Sequence, residues 1–318
     1  MTCHNEERFI EQAIRSVMSQ TALDVLGEVI VVEDGSSDGS RALLDRLAQE
    51  NPLLKIFSGP EKGVSAARNM AIHLASGTHV AFLDGDDLWA NDKLAQQLAS
   101  INQSSQDTGL WYTDFVEFND SEPLKGRRVQ VRLFPGNAVQ TLHDFFIHDG
   151  PIIPSTVLVL RQALLDVGGF DERLRYIEDG DLWLRIAAAG HRFQHVPGAM
   201  VFKRLHGGNA SRDLSRWDGA AEVVTQTWLE RCPELKPLRL RRDSFRRSKI
   251  AASYLAVGET RRALGMLWRA LSDNPLNLRC YAIGLLVIVP RSLRSALMLK
   301  LKDFRARVRQ IYRADKLA

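Results

Sequence analysis

Three carboxylates crowd into four positions at residues 84–87, where Asp84, Asp86 and Asp87 close an apolar β-branched run (VAFLDGDDLW, residues 80–89). Carboxylates this close repel one another, and a hard divalent cation that also holds phosphate oxygens relieves the repulsion. The run reads as a strand, and the C-terminal edge of an open α/β sheet is where ligands bind. An acidic surface turn is the plain alternative. A second acidic turn, Glu33, Asp34 and Asp38 in EDGSSDGS (residues 33–40), also follows an apolar run. There Gly35 permits close backbone approach and an Asp can accept from a base or ribose. Asp38 reads equally as a helix cap. A third acidic group, Glu178, Asp179 and Asp181, opens a helical pattern, where the helix dipole alone favours negative charge.

The elements that position these residues follow from hydrophobic periodicity. Phe9, Ile10, Ala13, Ile14 and Val17 fall at helical spacing, residues 28–33 read as a strand, and residues 41–49, 53–57, 65–75 and 79–83 continue as helix, strand, helix and strand. This βα rhythm predicts an α/β fold with a mostly parallel, Rossmann-like sheet flanked by helices. Only three residues precede the polar His4, Asn5 and Glu6, so the first strand reads as clipped. Residues 104–150 read as mixed, with a further strand at residues 110–118 and then a polar loop. Trp111 and Asp114 on that strand are candidates for contacting an acceptor, whereas Trp183 reads as core. From about residue 218 the chain is helical, which divides it into a catalytic part, residues 1–217, and a helical part, residues 218–318. Residues 251–275 have the spacing of a paired-helix repeat.

The chain has 318 residues, 45% hydrophobic and 25% charged, the balance of a folded globular protein. Its charge is uneven: from residue 236 onward 20 Lys and Arg face 5 Asp and Glu, while the rest carries 22 against 33. A basic appendage suits phosphates or lipid head groups. Residues 304–313 have the pattern of a basic amphipathic helix for an anionic membrane surface. The longest apolar run, residues 281–290, is about half the roughly 20 residues that span a bilayer and reads as a buried helix. Three scattered cysteines suit a reducing cytosol, so a cytoplasmic or peripheral inner-face location is expected. No nucleic-acid motif stands out in the basic tail.

Taken in order, EDGSSDGS, GVSAARN (63–69), FLDGDD (82–87), VGGFDERL (167–174), IEDGDLWLRIAAAG (177–190) and FKRLHGGNAS (202–211) resemble the family 2 glycosyltransferases, which have the GT-A fold. The resemblance implies an inverting transfer from a nucleotide diphosphate sugar, with a UDP-sugar favoured, to a glycan or lipid-linked glycan in cell-surface polysaccharide synthesis. By it, Glu33 and Asp34 lie at the nucleobase, Arg68 lines the nucleotide pocket, Asp84 faces the ribose, Arg204 joins the donor site, and Asp86 holds Mn²⁺ or Mg²⁺ with His206 nearby. Asp179 would be the base that deprotonates the acceptor, with Glu178 its rival. Residues 203–211 would form a closing loop. A nucleotidyltransferase would need a Gly-rich loop after the first strand, which HNEER lacks. A non-catalytic scaffolding protein of a glycan assembly complex is the other reading.

Overall fold

The protein was analysed as a computed structural model that describes residues 1–120, 126–134, 136–148, 152–207 and 214–289. Two compact units divide the chain, one of residues 1–145 and 150–227, the other of residues 146–149 and 228–318.

In the first unit β1 (Thr2–Cys3), β2 (Val29–Glu33) and β3 (Leu54–Ser58) pair in parallel in that order. Parallel neighbours need long crossovers, supplied here by α1 (Ile10–Met18) and α2 (Ser40–Glu50), while α3 (Val64–Leu74) packs on β2. All of β2 is buried, hence its unbroken VIVV run. The first strand, expected to be clipped, is short but present: Thr2 and Cys3 pair with Val32 and Glu33, and a parallel bridge from Thr2 to Asp84 joins this sheet to the second.

The second sheet contains β4 (His79–Ala81), β5 (Leu88–Trp89), β6 (Thr108–Phe118), β7 (Arg127–Val129), β8 (Val157–Leu160) and β9 (Arg192–Arg204). Its order is β4-β8-β6-β9-β5, with β7 on β6. Only β6 and β9 pair in parallel; β4–β8, β6–β8, β5–β9 and β6–β7 are antiparallel. The parallel order thus holds in the first half and gives way to mixed pairing in the second, where β6 and β7 are antiparallel neighbours. Four helices complete the layers: α4 (Lys93–Ile101), α5 (Ala138–His148), α6 (Arg161–Asp166) and α7 (Glu178–Ala188). α5 falls in the stretch read as mixed. Trp183 of α7 is fully buried and donates through Nε1 to Ile152 O at 2.9 Å, a core residue as its spacing suggests.

α8 (Leu214–Arg231) contributes residues to both units. In the second unit α9 (Arg239–Ala256) and α10 (Thr260–Asp273) form the expected helix pair, turning at Gly258 with φ 85°. Leu255, Ala263, Leu267 and Ala270 pack with Cys280 and Ile283 of α11 (Leu278–Leu285). The buried helix expected at residues 281–290 is buried along one stripe only, because Tyr281 and Leu285 face solvent. Among the described residues no helix is long and apolar enough to cross a membrane.

The turn before α7 depends on Gly169, whose φ is 68°. A Cβ there would lie 2.4 Å from Asn69 Oδ1, the atom that accepts from Phe170 N at 2.7 Å. Gly169→Ala is expected to cost about 1–3 kcal/mol, seen as a lower denaturation midpoint. An unchanged midpoint would show that the turn yields freely.

Candidate active site

The strand ends carry the acidic residues, and their partners decide what each can do. At the end of β2, Asp34 accepts from Glu61 N at 2.7 Å and Gly63 N at 3.0 Å, so its carboxylate pins the loop between β3 and α3. Glu33 accepts from Ser36 N at 2.5 Å, turning the chain toward α2. Asp38 accepts from Ser40 N and Glu7 N, so it ties the turn before α2 to the β1–α1 loop. The β1–α1 loop docks on this turn through Asn5, whose Oδ1 accepts from Ser37 N at 2.8 Å.

Arg68, buried on α3, joins two chain segments far apart in sequence. Its guanidinium donates to Asp84 Oδ1 at 2.6 Å and to Glu178 Oε1 at 2.9 Å, and sits 5.2 Å from the centre of the Phe170 ring. Burial lowers its pKa, but Asp84 and Glu178 outweigh that and hold it above the ordinary arginine value. Asp179 lies beside Glu178. Burial first, and then Glu178, push its carboxyl up to about 7, against the opposing pull of the Gly180 amide, Arg68 and Lys203. Ile177, just before α7, has φ 62°, an outlier for a β-branched residue and a mark of strain where the acidic helix start is fixed. Asp181 is buried and paired with Arg185 at 2.8 Å, while Arg185 Nη1 donates to Val167 O and Gly169 O. Its task is to hold the turn that leads into α7.

Asp86 Oδ2 lies 2.8 Å from His206 Nε2. Burial and then Asp84 raise the Asp86 pKa, which His206 opposes. Asp87 is fully enclosed: it accepts from Ser155 Oγ at 2.7 Å and from Arg204 N at 3.1 Å, and burial, then Asp86 and Asp84, raise its pKa well above the ordinary range. Ser155 Oγ also accepts from Asp84 N at 3.2 Å, and Ser155 O accepts from Trp89 Nε1 at 2.9 Å. Glu6, pushed up to about 8 by burial and then by Asp86 and Asp84, faces the same turn.

Three further candidates are enclosed. Arg204, expected at the donor site, is 3% exposed, donates to Asp86 O, Gln12 Oε1 and Asp120, and lies 4.8 Å from both the Phe9 and Phe118 ring centres. It braces the Asp86 turn. Trp111 is core, packed with Leu158 and Val196, its Nε1 donating to Ser104 Oγ at 2.8 Å. Asp114 is 1% exposed and engaged by Val131 N and His195 Nε2, each at 2.9 Å. Both side chains are enclosed because β6 is buried on both of its faces here. Residues 208–211 of the expected closing loop lie outside the described residues. Ser155 and Asn69, which position the site, were not singled out by sequence. A lone Ser in PIIPST carries no pattern, and Asn69 shows its use only where it meets Phe170.

Asp86 and His206 are donors that suit a divalent cation. Among the described residues no group of three or more His, Cys, Asp or Glu is poised to hold an ion by itself. The pair fits a cation whose other ligands come from diphosphate oxygens, and the raised Asp86 carboxyl is a group that a cation would keep ionised.

Structural neighbours share the fold. S. aureus TarS 1-349, in complex with UDP-GlcNAc, superposes with TM-score 0.62 at 18% identity, covering 95% of this chain and 86% of that one. A mannosyltransferase from Pyrobaculum calidifontis, in complex with GDP-Man and Mn²⁺, superposes with TM-score 0.59 at 19% identity over 98% and 85% of the two chains. The fold is therefore that of the GT-A glycosyltransferases. The family described as Glycosyl transferase family 2 matches residues 1–167. An uncharacterised glycosyltransferase of Nostoc sp. is 35% identical over 231 residues, 71% of this chain and 70% of that protein. The chain belongs to glycosyltransferase family 2. It spans 29–41% of the length of three further curated relatives.

Ser155→Ala would leave a fully buried Asp87 oxygen without its hydroxyl donor. The expected result is a loss of about 1–3 kcal/mol on denaturation together with weaker nucleotide-sugar binding by calorimetry. Unaltered binding would show that Arg204 alone holds the acidic turn.

Proposed function

We propose that this chain moves a sugar, with inversion, from a nucleoside diphosphate donor to a hydroxyl of a glycan or lipid-linked glycan built for the cell surface. The observation that carries this reading is the Arg68 bridge: Asp84 at the donor end of β4 and Glu178 beside Asp179 share one guanidinium, so the donor and the base belong to one cluster. Glu178 is engaged by Arg68, which favours Asp179 as the base. A carboxyl held at about 7 is a better proton acceptor than an ordinary one and is still ionised in good part at neutral pH.

The reaction takes the acceptor hydroxyl proton onto Asp179 as the oxygen attacks the anomeric carbon. The bond from that carbon to the diphosphate oxygen breaks, and the nucleoside diphosphate leaves with the electron pair. One displacement inverts the centre. A divalent cation held by Asp86 and His206 would neutralise charge on the leaving diphosphate. In this reading Asp84 faces the ribose, and Glu33 and Asp34 lie at the base, a role supported by the turns that they fix. Uridine diphosphate is the favoured carrier, supported by the UDP-GlcNAc bound to the TarS neighbour; the GDP-Man bound to the mannosyltransferase makes guanosine the competitor to test. Buried, free cysteines fit a reducing compartment and a cytoplasmic site of action.

A panel of nucleotide sugars with Mn²⁺ or Mg²⁺ should give nucleoside diphosphate release for one donor, lost on chelation and in Asp86→Ala. Silence across the panel, with no nucleotide binding, would move the protein to the scaffolding reading. Asp179→Asn should lower kcat by about 10²–10⁴-fold with the donor KM retained, and the parent's kcat should rise with pH through about 7. The stability sign runs the other way. Between the ordinary 3.8 and about 7 the folded state keeps a proton that the unfolded chain has released, so stability falls as pH rises across that window. Asp179→Asn should therefore be the more stable protein at neutral pH. A variant that lost both activity and stability would mark Asp179 as structural.

A further inference from the structure

The second unit carries an apolar face that its own core does not use. On α10, Leu264 and Trp268 lie one turn apart, 48% and 76% exposed. On α11, Leu278, Tyr281 and Leu285 keep the spacing of one helical stripe and are 76%, 52% and 66% exposed. Both helices turn their opposite sides into one shared cluster. Isolated exposed apolar residues are ordinary, but stripes of them on two packed helices mark an interaction surface.

The charges around these stripes identify the partner. Arg261, Arg262 and Arg269 are exposed on α10, and Arg261 lies one turn before Leu264 on the stripe that carries Trp268. The acid at the start of α10, Glu259, pairs with Arg262 at 2.7 Å. Over residues 236–289 there are 11 Lys and Arg against 3 Asp and Glu. A second copy of this unit would bring like charges together, which opposes self-association. Nucleic acid would meet the arginines but leave Leu264, Leu278 and Leu285 without a partner, since its affinity comes mainly from phosphates.

We propose that α10 and α11 form a docking face for the surface of an anionic lipid bilayer, with the helices lying in the head-group plane. Trp268 and Tyr281 have the apolar body and polar tip that suit the membrane interface. The leucines enter the acyl boundary, and the arginines reach anionic head groups while their stems line the apolar surface. The face is separate from residues 304–313, which lie outside the described residues, and it does not depend on the donor assigned above.

The test is co-sedimentation of the full chain with phosphatidylcholine vesicles, with and without phosphatidylglycerol. The parent should sediment with the anionic vesicles and be released by salt, and vesicles with brominated acyl chains should quench its fluorescence less in Trp268→Phe. Leu264→Ser combined with Trp268→Ser should weaken partitioning about tenfold or more, with its melting transition and its nucleotide release in solution unchanged. Leu278→Ser with Leu285→Ser gives an independent reading should the first variant fold poorly. A parent that stays in solution with both vesicles overturns the proposal. So does partitioning unchanged in both double variants, which would place the contact elsewhere, and so does a parent dimer that the double variants dissociate, which would make a second copy the occupant.

Discussion

The Arg68 guanidinium, buried between Asp84 and Glu178, is the interaction on which the rest of the site depends. A buried charge is tolerated only when paired and hydrogen-bonded, and removing one partner leaves the other uncompensated at a cost of about 3–5 kcal/mol. The pairing fixes the start of α7 against the end of β4, two segments some ninety residues apart in sequence. It requires α3 to lie close on the sheet, which Ala66 and Ala67 allow by burying little bulk. The next residue repeats the link in neutral form: Asn69 donates to Phe170 O and accepts from Phe170 N, tying the turn before α7 to the same helix. Arg68 and Asn69 thus position the candidate base from one turn of α3.

Around that bridge the chain concentrates carboxylates rather than dispersing them. Asp86, Asp87, Glu6 and Asp179 each have a raised pKa, in every case first from burial and then from an acidic neighbour. Repulsion of this kind works against folding, and the protein holds it in place with rigid supports. Arg204, sandwiched between Phe9 and Phe118, braces the turn from one side, and Ser155 from the other. The consequence is a site whose field is set before the ligand arrives, so that little reorganisation is left for the reaction itself.

Much of this was legible in the sequence because strand ends punctuate it. The apolar runs that close in Glu33-Asp34 and in Asp84, and the helical pattern that begins at Glu178, give the places where side chains must meet once the sheet forms. What the sequence hides about the surroundings of the other candidates has one cause. Alternation along β6 does not say which face is core, because the strand is buried on both sides, so Trp111 and Asp114 look available when they are enclosed. Arg204, likewise expected at the donor site, has aromatic partners that spacing does not reveal, Phe9 just before α1 and Phe118 of β6. The mixed second sheet was hidden for a related reason. Short strands such as Leu88–Trp89 have no periodicity of their own and take their direction from β9.

The division of charge has the same physical logic as the site. Residues 1–235 carry 22 Lys and Arg against 33 Asp and Glu, while residues 236–318 carry 20 against 5. An acidic site does not attract a nucleoside diphosphate by its own field, and a divalent cation bound there would reverse the local sign. The same excess of negative charge repels an anionic bilayer at distances up to about a Debye length. A transferase that serves an acceptor at such a surface must therefore carry its attraction on residues outside the acidic part. On the proposed face, Arg261 beside Leu264 and Trp268 and the further arginines of α10 would supply positive charge and apolar contact together, and head groups at a membrane interface reward both at once.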